Sequence, residues 1–226
     1  MIRVLNLNNC LIVDYDPEIL YEFNKFRCNN HFLDEFLYNE DEVLKGDYGY
    51  TRLVIERESK DIIGFFTICS SAISLNPDFK DNTNIYSEAT SINRSVLIRY
   101  MGAIGLSCFA VNSNYRGQYV TDGFTKERVS EFLLKEAFAY IIDIGQNLNV
   151  KYVILSSTKE GRRLYYDYGF NFLDYEHRNQ YLSYKNIEIP EVTVEEKSRK
   201  NRYIFNINSS EIDCYQMMFD LKNINN

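Results

Sequence analysis

Three consecutive segments near the middle of the chain constrain the fold most. Ile104 to Val111 is a mostly apolar run with the look of a buried strand. A long amphipathic stretch follows from about Asp122 to Ile144, with Val129, Phe132, Leu133, Ala137, Tyr140 and Ile144 on one helical face. Thr121 or Asp122 is placed to cap this helix and Gly145 to end it. Lys151 to Ser156 is a second buried strand. Strand, long helix, strand is the pattern of a parallel crossover, which is right-handed almost without exception. An α/β fold is therefore expected.

The flanking segments read as further elements. Arg3 to Asp14 alternates loosely and predicts a first strand. Pro17 opens a helix through Phe26, since proline suits a first turn. Phe32, Leu33, Phe36, Leu37 and Leu44 recur at helical spacing, which predicts one helix over about 31–45 stopped by Gly46. Tyr50 to Glu56 and Ile62 to Ser70 read as strands joined by the polar loop Glu58-Ser59-Lys60-Asp61. Asn76 to Asn93 is polar and irregular, and Val96 to Tyr100 fits a short helix without being settled by its pattern. Asn112 to Gln118 is a turn. Beyond the crossover come a helix from about Lys159 to Tyr168, a strand from Asn171 to Tyr175 and a last strand from Cys214 to Leu221. The polar segment of about 176–211 is long for a loop, and such loops are often functional or disordered. With 226 residues, one domain spanning 1–226 with an insertion there is the simplest organisation.

Composition narrows the function classes. No apolar run approaches the roughly 20 residues that span a bilayer. The N-terminus is too polar for a signal peptide. The five cysteines are scattered without a Cys-x-x-Cys pair, so neither a metal site nor a disulfide framework is expected. Reduced, buried thiols in a cytoplasmic protein fit this pattern. The net charge of −7 argues against nucleic acid as the main partner, because phosphate contacts normally need Lys and Arg. The abundance of Asn, Ile, Lys and Tyr points to an AT-rich, low-GC bacterial genome.

Chemistry is expected where the first crossover strand ends. Ligands of open α/β sheets sit at the carboxyl ends of strands, and a helix N-terminus nearby favours an anion. Arg116-Gly117-Gln118 leads into that helix, and Gly117 allows the backbone close to a phosphate. Further on stands Leu164-Tyr165-Tyr166-Asp167-Tyr168-Gly169-Phe170. Near the N-terminus lies Phe26-Arg27-Cys28-Asn29-Asn30-His31-Phe32-Leu33-Asp34-Glu35-Phe36-Leu37. The order of elements with these motifs resembles the GNAT superfamily of N-acetyltransferases. Arg116-Gly117-Gln118-Tyr119-Val120-Thr121 is similar to that family's pyrophosphate loop, Gln/Arg-x-x-Gly-x-Gly/Ala, but Tyr119 and Thr121 stand where the family prefers small residues. The 164–170 segment resembles the family's Phe-Tyr-x-x-Phe-Gly-Phe. The 26–37 segment, with Ile63-Gly64-Phe65-Phe66-Thr67 downstream, resembles a branch that includes toxins acetylating aminoacyl-tRNA. The likeness covers about 20–175 and 214–222.

The resemblance implies a mixed, mostly antiparallel sheet, flanked by helices, with a central parallel strand pair splayed to hold acyl-CoA. It implies acetyl-CoA as co-substrate, bound by Phe109, Ala110, Val111 and the loop from Arg116 to Thr121. It implies direct attack by an amine on the thioester, with backbone N–H groups near the end of the Ile104–Val111 strand polarising the carbonyl. It makes Tyr165 the acid that protonates the departing thiolate, with Tyr166 as the fallback. A phenol of pKa about 10 facing a thiol of about 8.5 is a matched donor at neutral pH. His31 and Glu35 lie where family members shape the acceptor site, and no general base is singled out. The expected partners are acetyl-CoA and an amine acceptor, with no metal and no membrane; a homodimer stays open. Lys197, Arg199, Lys200 and Arg202 are a local cluster that keeps the tRNA-directed reading alive, with Arg162 and Arg163 nearby only if the fold brings them together. A non-catalytic acyl-CoA-binding or protein-binding version of the fold draws its support from Tyr119 and Thr121.

Overall fold

A computed structural model of the chain describes residues 4–45, 48–75, 99–148, 150–172, 203–204 and 215–222. The chain forms two compact units. The first takes residues 1–70 and 104–149; the second takes 71–103 and 150–226.

In the first unit β2 (Cys10–Asp14), β3 (Tyr50–Glu56), the first part of β4 (Asp61–Leu75, up to Ser70) and the last part of β5 (Arg99–Val111, from Ile104) are neighbours in that order. β2 and β3 pair antiparallel from Cys10–Glu56 to Asp14–Arg52. β3 and β4 form an antiparallel hairpin from Tyr50–Ile68 to Glu56–Asp61, with a shift of register at Val54/Ile55. Successive strand residues face opposite sides, so a sheet covered on both faces is apolar at nearly every position. Leu53, Val54 and Ile55 are all buried accordingly. Leu53, Ile55 and Phe65 meet the helices α1 (Pro17–Glu22), α2 (His31–Phe36) and α3 (Glu40–Leu44) through Leu20, Phe36 and Val43. Phe26, which follows α1, is fully buried against Phe65 at 5.3 Å between ring centroids, and removing such a ring costs about 3–5 kcal/mol. On the other face α4 (Val129–Leu148) sets Tyr140 against Phe66 and Leu133 over Gly64. A Cβ at Gly64 would stand 2.5 Å from the Ala110 carbonyl oxygen, a backbone atom that cannot give way, so this residue has to be glycine for β5 to lie so close.

Several sequence expectations need correction. The segment 3–14 is two strands: β1 (Val4–Asn6) is separated from β2 by a 3-10 turn at Leu7–Asn9, because the Asn6 side chain accepts the Asn8 N–H and starts a turn. α1 ends at Glu22 rather than Phe26. The single helix over 31–45 is two, since the Asn39 side chain accepts the Glu42 N–H and opens α3 afresh. Its expected stop, Gly46, lies outside the described residues. Arg99 and Tyr100 are extended and belong to β5, not to a helix. The long helix starts at Val129, not Asp122. The residues before it form a hairpin of β6 (Tyr119–Thr121) and β7 (Lys126–Arg128), and β1 pairs parallel with β6.

In the second unit β8 (Tyr152–Ser157) pairs antiparallel with β11 (Tyr215–Asp220) along its whole length. β9 (Asn171–Phe172) adds to β11, and β10 (Tyr203–Ile204) pairs with the end of β4. The Lys151 N–H reaches the Gly102 carbonyl at 3.5 Å, which sets the start of β8 beside the start of β5. Ile73, Ala103 and Ile154 are buried together there. α5 (Arg162–Tyr168) begins later than expected and ends as expected, at Gly169. Apart from Tyr203 and Ile204, the expected insertion of 176–211, with its basic cluster, lies outside the described residues.

Candidate functional site

The turn after β5 is built by side-chain hydrogen bonds. Asn112 donates its Nδ2 to the Ile62 carbonyl at 2.8 Å, accepts the Asn114 N–H at 3.1 Å, and gives its own N–H to the Ile63 carbonyl. It therefore ties the turn to β4 while starting the 3-10 turn Ser113–Tyr115. Tyr115 is buried and donates its hydroxyl to the Asp61 carboxylate; Ser59 then donates to the Tyr115 oxygen at 3.2 Å.

Two motifs far apart in sequence meet at this turn. The Ser113 N–H bonds the Arg27 carbonyl at 2.7 Å, and the Arg116 guanidinium donates to the Cys28 carbonyl. Arg116 is thus an anchor for the 26–30 segment, whatever else it contacts. Cys28 itself is buried, which pushes its thiol up to about 11. Phe109 is half-buried, while Ala110 and Val111 are buried.

Gly117 has φ +72°, the left-handed region that glycine enters freely, and nothing stands within 4 Å of where its Cβ would be. Gln118 gives its carbonyl to the Val129 N–H at 3.1 Å, so the chain leaves at Gln118 and returns at Val129. Between them the hairpin turns on Asp122, whose carboxylate accepts the Phe124 and Thr125 N–H groups at 2.8 and 2.7 Å. Those bonds hold the Asp122 carboxyl below its ordinary pKa. The side chain caps N–H groups as it would at a helix start. Gly123, at φ +96°, turns the chain into a second strand instead. Of the residues assigned to a phosphate loop, Tyr119, Val120 and Thr121 are therefore in β6, with Val120 buried beneath it. Sequence reasoning missed that the start of α4 at Val129 stands directly beside Gln118 in space. The Asp-Gly pair, a strong hairpin signal, could have found this.

His31 and Glu35 lie together on α2, with Nδ1 and Oε1 3.4 Å apart. They line an open cavity of about 770 Å³ with Lys25, Arg27, Asp34, Tyr38 and Asp41. Inside that lining, Asp34 accepts the Cys28 N–H at 2.5 Å and so connects the cavity wall to the residue that Arg116 holds.

Tyr165 lies in the second unit, 7% exposed. The Gly169 N–H bonds the Tyr166 carbonyl and the Phe170 N–H bonds the Tyr165 carbonyl, each at 3.0 Å. This pair of bonds is a Schellman motif, and Gly169 supplies its left-handed residue with φ +112°. The motif brings Phe170 back onto Tyr165, edge to face at 5.7 Å. Gly161 closes the other side: a Cβ there would stand 3.3 Å from the Tyr165 ring. Tyr166 stacks on Phe172 instead. Arg162 sits over the Tyr215 ring at 4.8 Å, and Arg163 pairs with Asp167. Among the described residues no group of His, Cys, Asp and Glu could hold a metal, and no helix is long and apolar enough to cross a membrane.

No family model matches the sequence, and neither does any curated protein. Solved structures do match the fold. A bacterial toxin superposes with a TM-score of 0.57 at 16% identity, covering 95% of this chain and 92% of its own. AtaT in complex with acetyl-methionyl-tRNAfMet gives 0.55 at 12% identity, covering 96% and 97%. A Tyr-to-Phe mutant of KacT gives 0.56 at 10% identity, covering 96% and 98%. With its mixed sheet and flanking helices, the chain has a GNAT-like α/β fold, shared with these solved structures over nearly its whole length.

Proposed function

We propose that this chain is an acetyl-CoA-dependent N-acetyltransferase whose acceptor is the amine of an aminoacyl-tRNA. The observation that carries the reading is the fold shared over nearly the whole chain with AtaT, which is seen with acetyl-methionyl-tRNAfMet. AtaT with its antitoxin AtaR is also seen bound with acetyl-CoA. The turn after β5 supports the cofactor half of the reading. Backbone N–H groups of Gly117 and of the first turn of α4 beyond Val129, whose own N–H is taken by the Gln118 carbonyl, are the donors for the pyrophosphate, and the helix dipole favours its charge. Departure of Tyr119 and Thr121 from small residues is the support for a non-catalytic role. It loses force because the hairpin carries both residues out of the loop.

In this reading the neutral amine attacks the thioester carbonyl carbon, and strand-end N–H groups receive the developing oxyanion. The C–S bond then breaks, the amine nitrogen loses a proton to solvent, and Tyr165 gives its phenolic proton to sulfur and regains one from solvent. His31 and Glu35, at their cavity, are the residues assigned to the acceptor. An acidic chain is compatible with an RNA acceptor when contact is confined to the end of the tRNA. Few phosphates are then neutralised.

The test is transfer of labelled acetyl from acetyl-CoA to charged tRNA by the purified protein. The expected product is acetyl-aminoacyl-tRNA. Transfer to polyamines or peptides but not to charged tRNA would remove the acceptor. Absence of any transfer would remove the enzyme.

A further inference from the structure

The β6–β7 hairpin is the part of the first unit that the proposed reaction leaves without a task. It stands between the Gly117 turn and the start of α4, beside the proposed pyrophosphate donors. Its register pairs Tyr119 with Arg128 and Thr121 with Lys126, so these four side chains share one face. Val120 points the other way and is buried. The shared face is open: Lys126 and Arg128 are exposed, and Lys126 lies 4.4 Å over the Tyr119 ring.

The neighbouring acids are already engaged. Asp122 is held by the turn. Glu127 pairs with Lys135 at 2.5 Å, and Glu131 accepts the Arg128 N–H at 3.1 Å. Among the described residues neither Lys126 nor Arg128 has a carboxylate partner. The Thr121 hydroxyl is spent within the turn, where it donates to the Thr125 carbonyl at 2.6 Å and accepts the Gly123 N–H at 3.0 Å. Two cations and a phenol remain on one open face and form a surface for a phosphate monoester, in a chain whose net charge is −7.

We propose that this face binds the 3′-phosphate of coenzyme A, with Lys126 and Arg128 as its cationic partners. The inference rests on the acetyl-CoA reading. The ligand follows from position, because a coenzyme with its pyrophosphate at the Gly117 turn carries its one phosphate monoester a ribose away. The hairpin is then a selectivity device that distinguishes coenzyme A from its 3′-dephospho form.

The experiment is calorimetric titration of the whole chain with coenzyme A and with 3′-dephospho-coenzyme A. The wild type should bind coenzyme A about tenfold more tightly, as expected for about 1.4 kcal/mol of charge-assisted contact. The exposed double variant Lys126→Gln/Arg128→Gln should lose that preference while keeping its affinity for the dephospho form. Equal wild-type affinities, or an equal loss on both ligands, would overturn the inference and leave the acetyl-CoA reading standing. No binding of either ligand would overturn both. A variant that keeps the wild-type preference but loses affinity for charged tRNA would assign the face to RNA and overturn the inference.

Discussion

Tyr165 is held from three sides: by the Schellman bonds at its carbonyl, by the Phe170 ring and by Gly161. A ring so placed loses little rotamer freedom on reacting, which suits a positioned acid. Tyr165→Phe should therefore lower kcat about 10²–10⁴-fold and leave acetyl-CoA affinity unchanged. Single-turnover kinetics beside a binding isotherm would check both. Arg116 carries a different expectation. Its bond to the Cys28 carbonyl makes Arg116→Ala a stability variant, costing about 1 kcal/mol. A thermal melt should show Tm lower by about 2–4 °C, even without ligand. Burial pushes the Cys28 thiol up to about 11 and the Cys108 thiol up to about 12. Neither is a thiolate at neutral pH, so iodoacetamide should label both slowly in the native protein and promptly in urea, as read by mass spectrometry.

At the scale of elements, the end of α5 and the body of α4 give separate tests. Gly169→Ala would place a Cβ at φ +112° and 3.1 Å from the Phe219 ring. The left-handed strain alone costs about 1–2 kcal/mol, and the helix end that positions Tyr165 would shift with it. Turnover should fall more than acetyl-CoA affinity, a split that a purely global destabilisation would not produce. On α4, burial and then the Glu127 charge raise the Glu136 carboxyl above its ordinary pKa. A raised carboxylate is favoured in its protonated form by the fold, so its ionisation costs stability as pH rises through the folded pKa. Glu136→Gln should melt above wild type at about pH 7, and the difference should close at about pH 4. A gap that persists in acid would assign the effect to something other than ionisation.

For the molecule as a whole, ligand linkage is the broadest check. A ligand that binds only the folded chain stabilises it by about 2.7 kcal/mol at a hundred times Kd. Acetyl-CoA should thus raise Tm by about 5–10 °C. The acidic balance adds a second expectation at this scale. If few phosphates are contacted, the affinity for charged tRNA should fall only shallowly with salt, and a steep slope would instead report an extended RNA footprint.

What the sequence determined by itself was whatever one or two turns of chain can encode. Alternating and continuous apolar runs specified β3, β4 and the core of β5. A 3.6-residue period marked the buried stripe of α4, and a tyrosine four residues before Gly-Phe marked a helix stop. Side-chain caps were legible as chemistry but not as outcome: Asp122 reads alike before a helix and before a hairpin, and only the pairing of β6 with β1 and burial of Val120 decide between them. The contact from Arg116 to Cys28 spans 88 residues. Nothing local announces such a bond. It exists because β4 and β5 are neighbours and α2 packs on their sheet, so the meeting of the two motifs at one turn belongs to the tertiary structure alone.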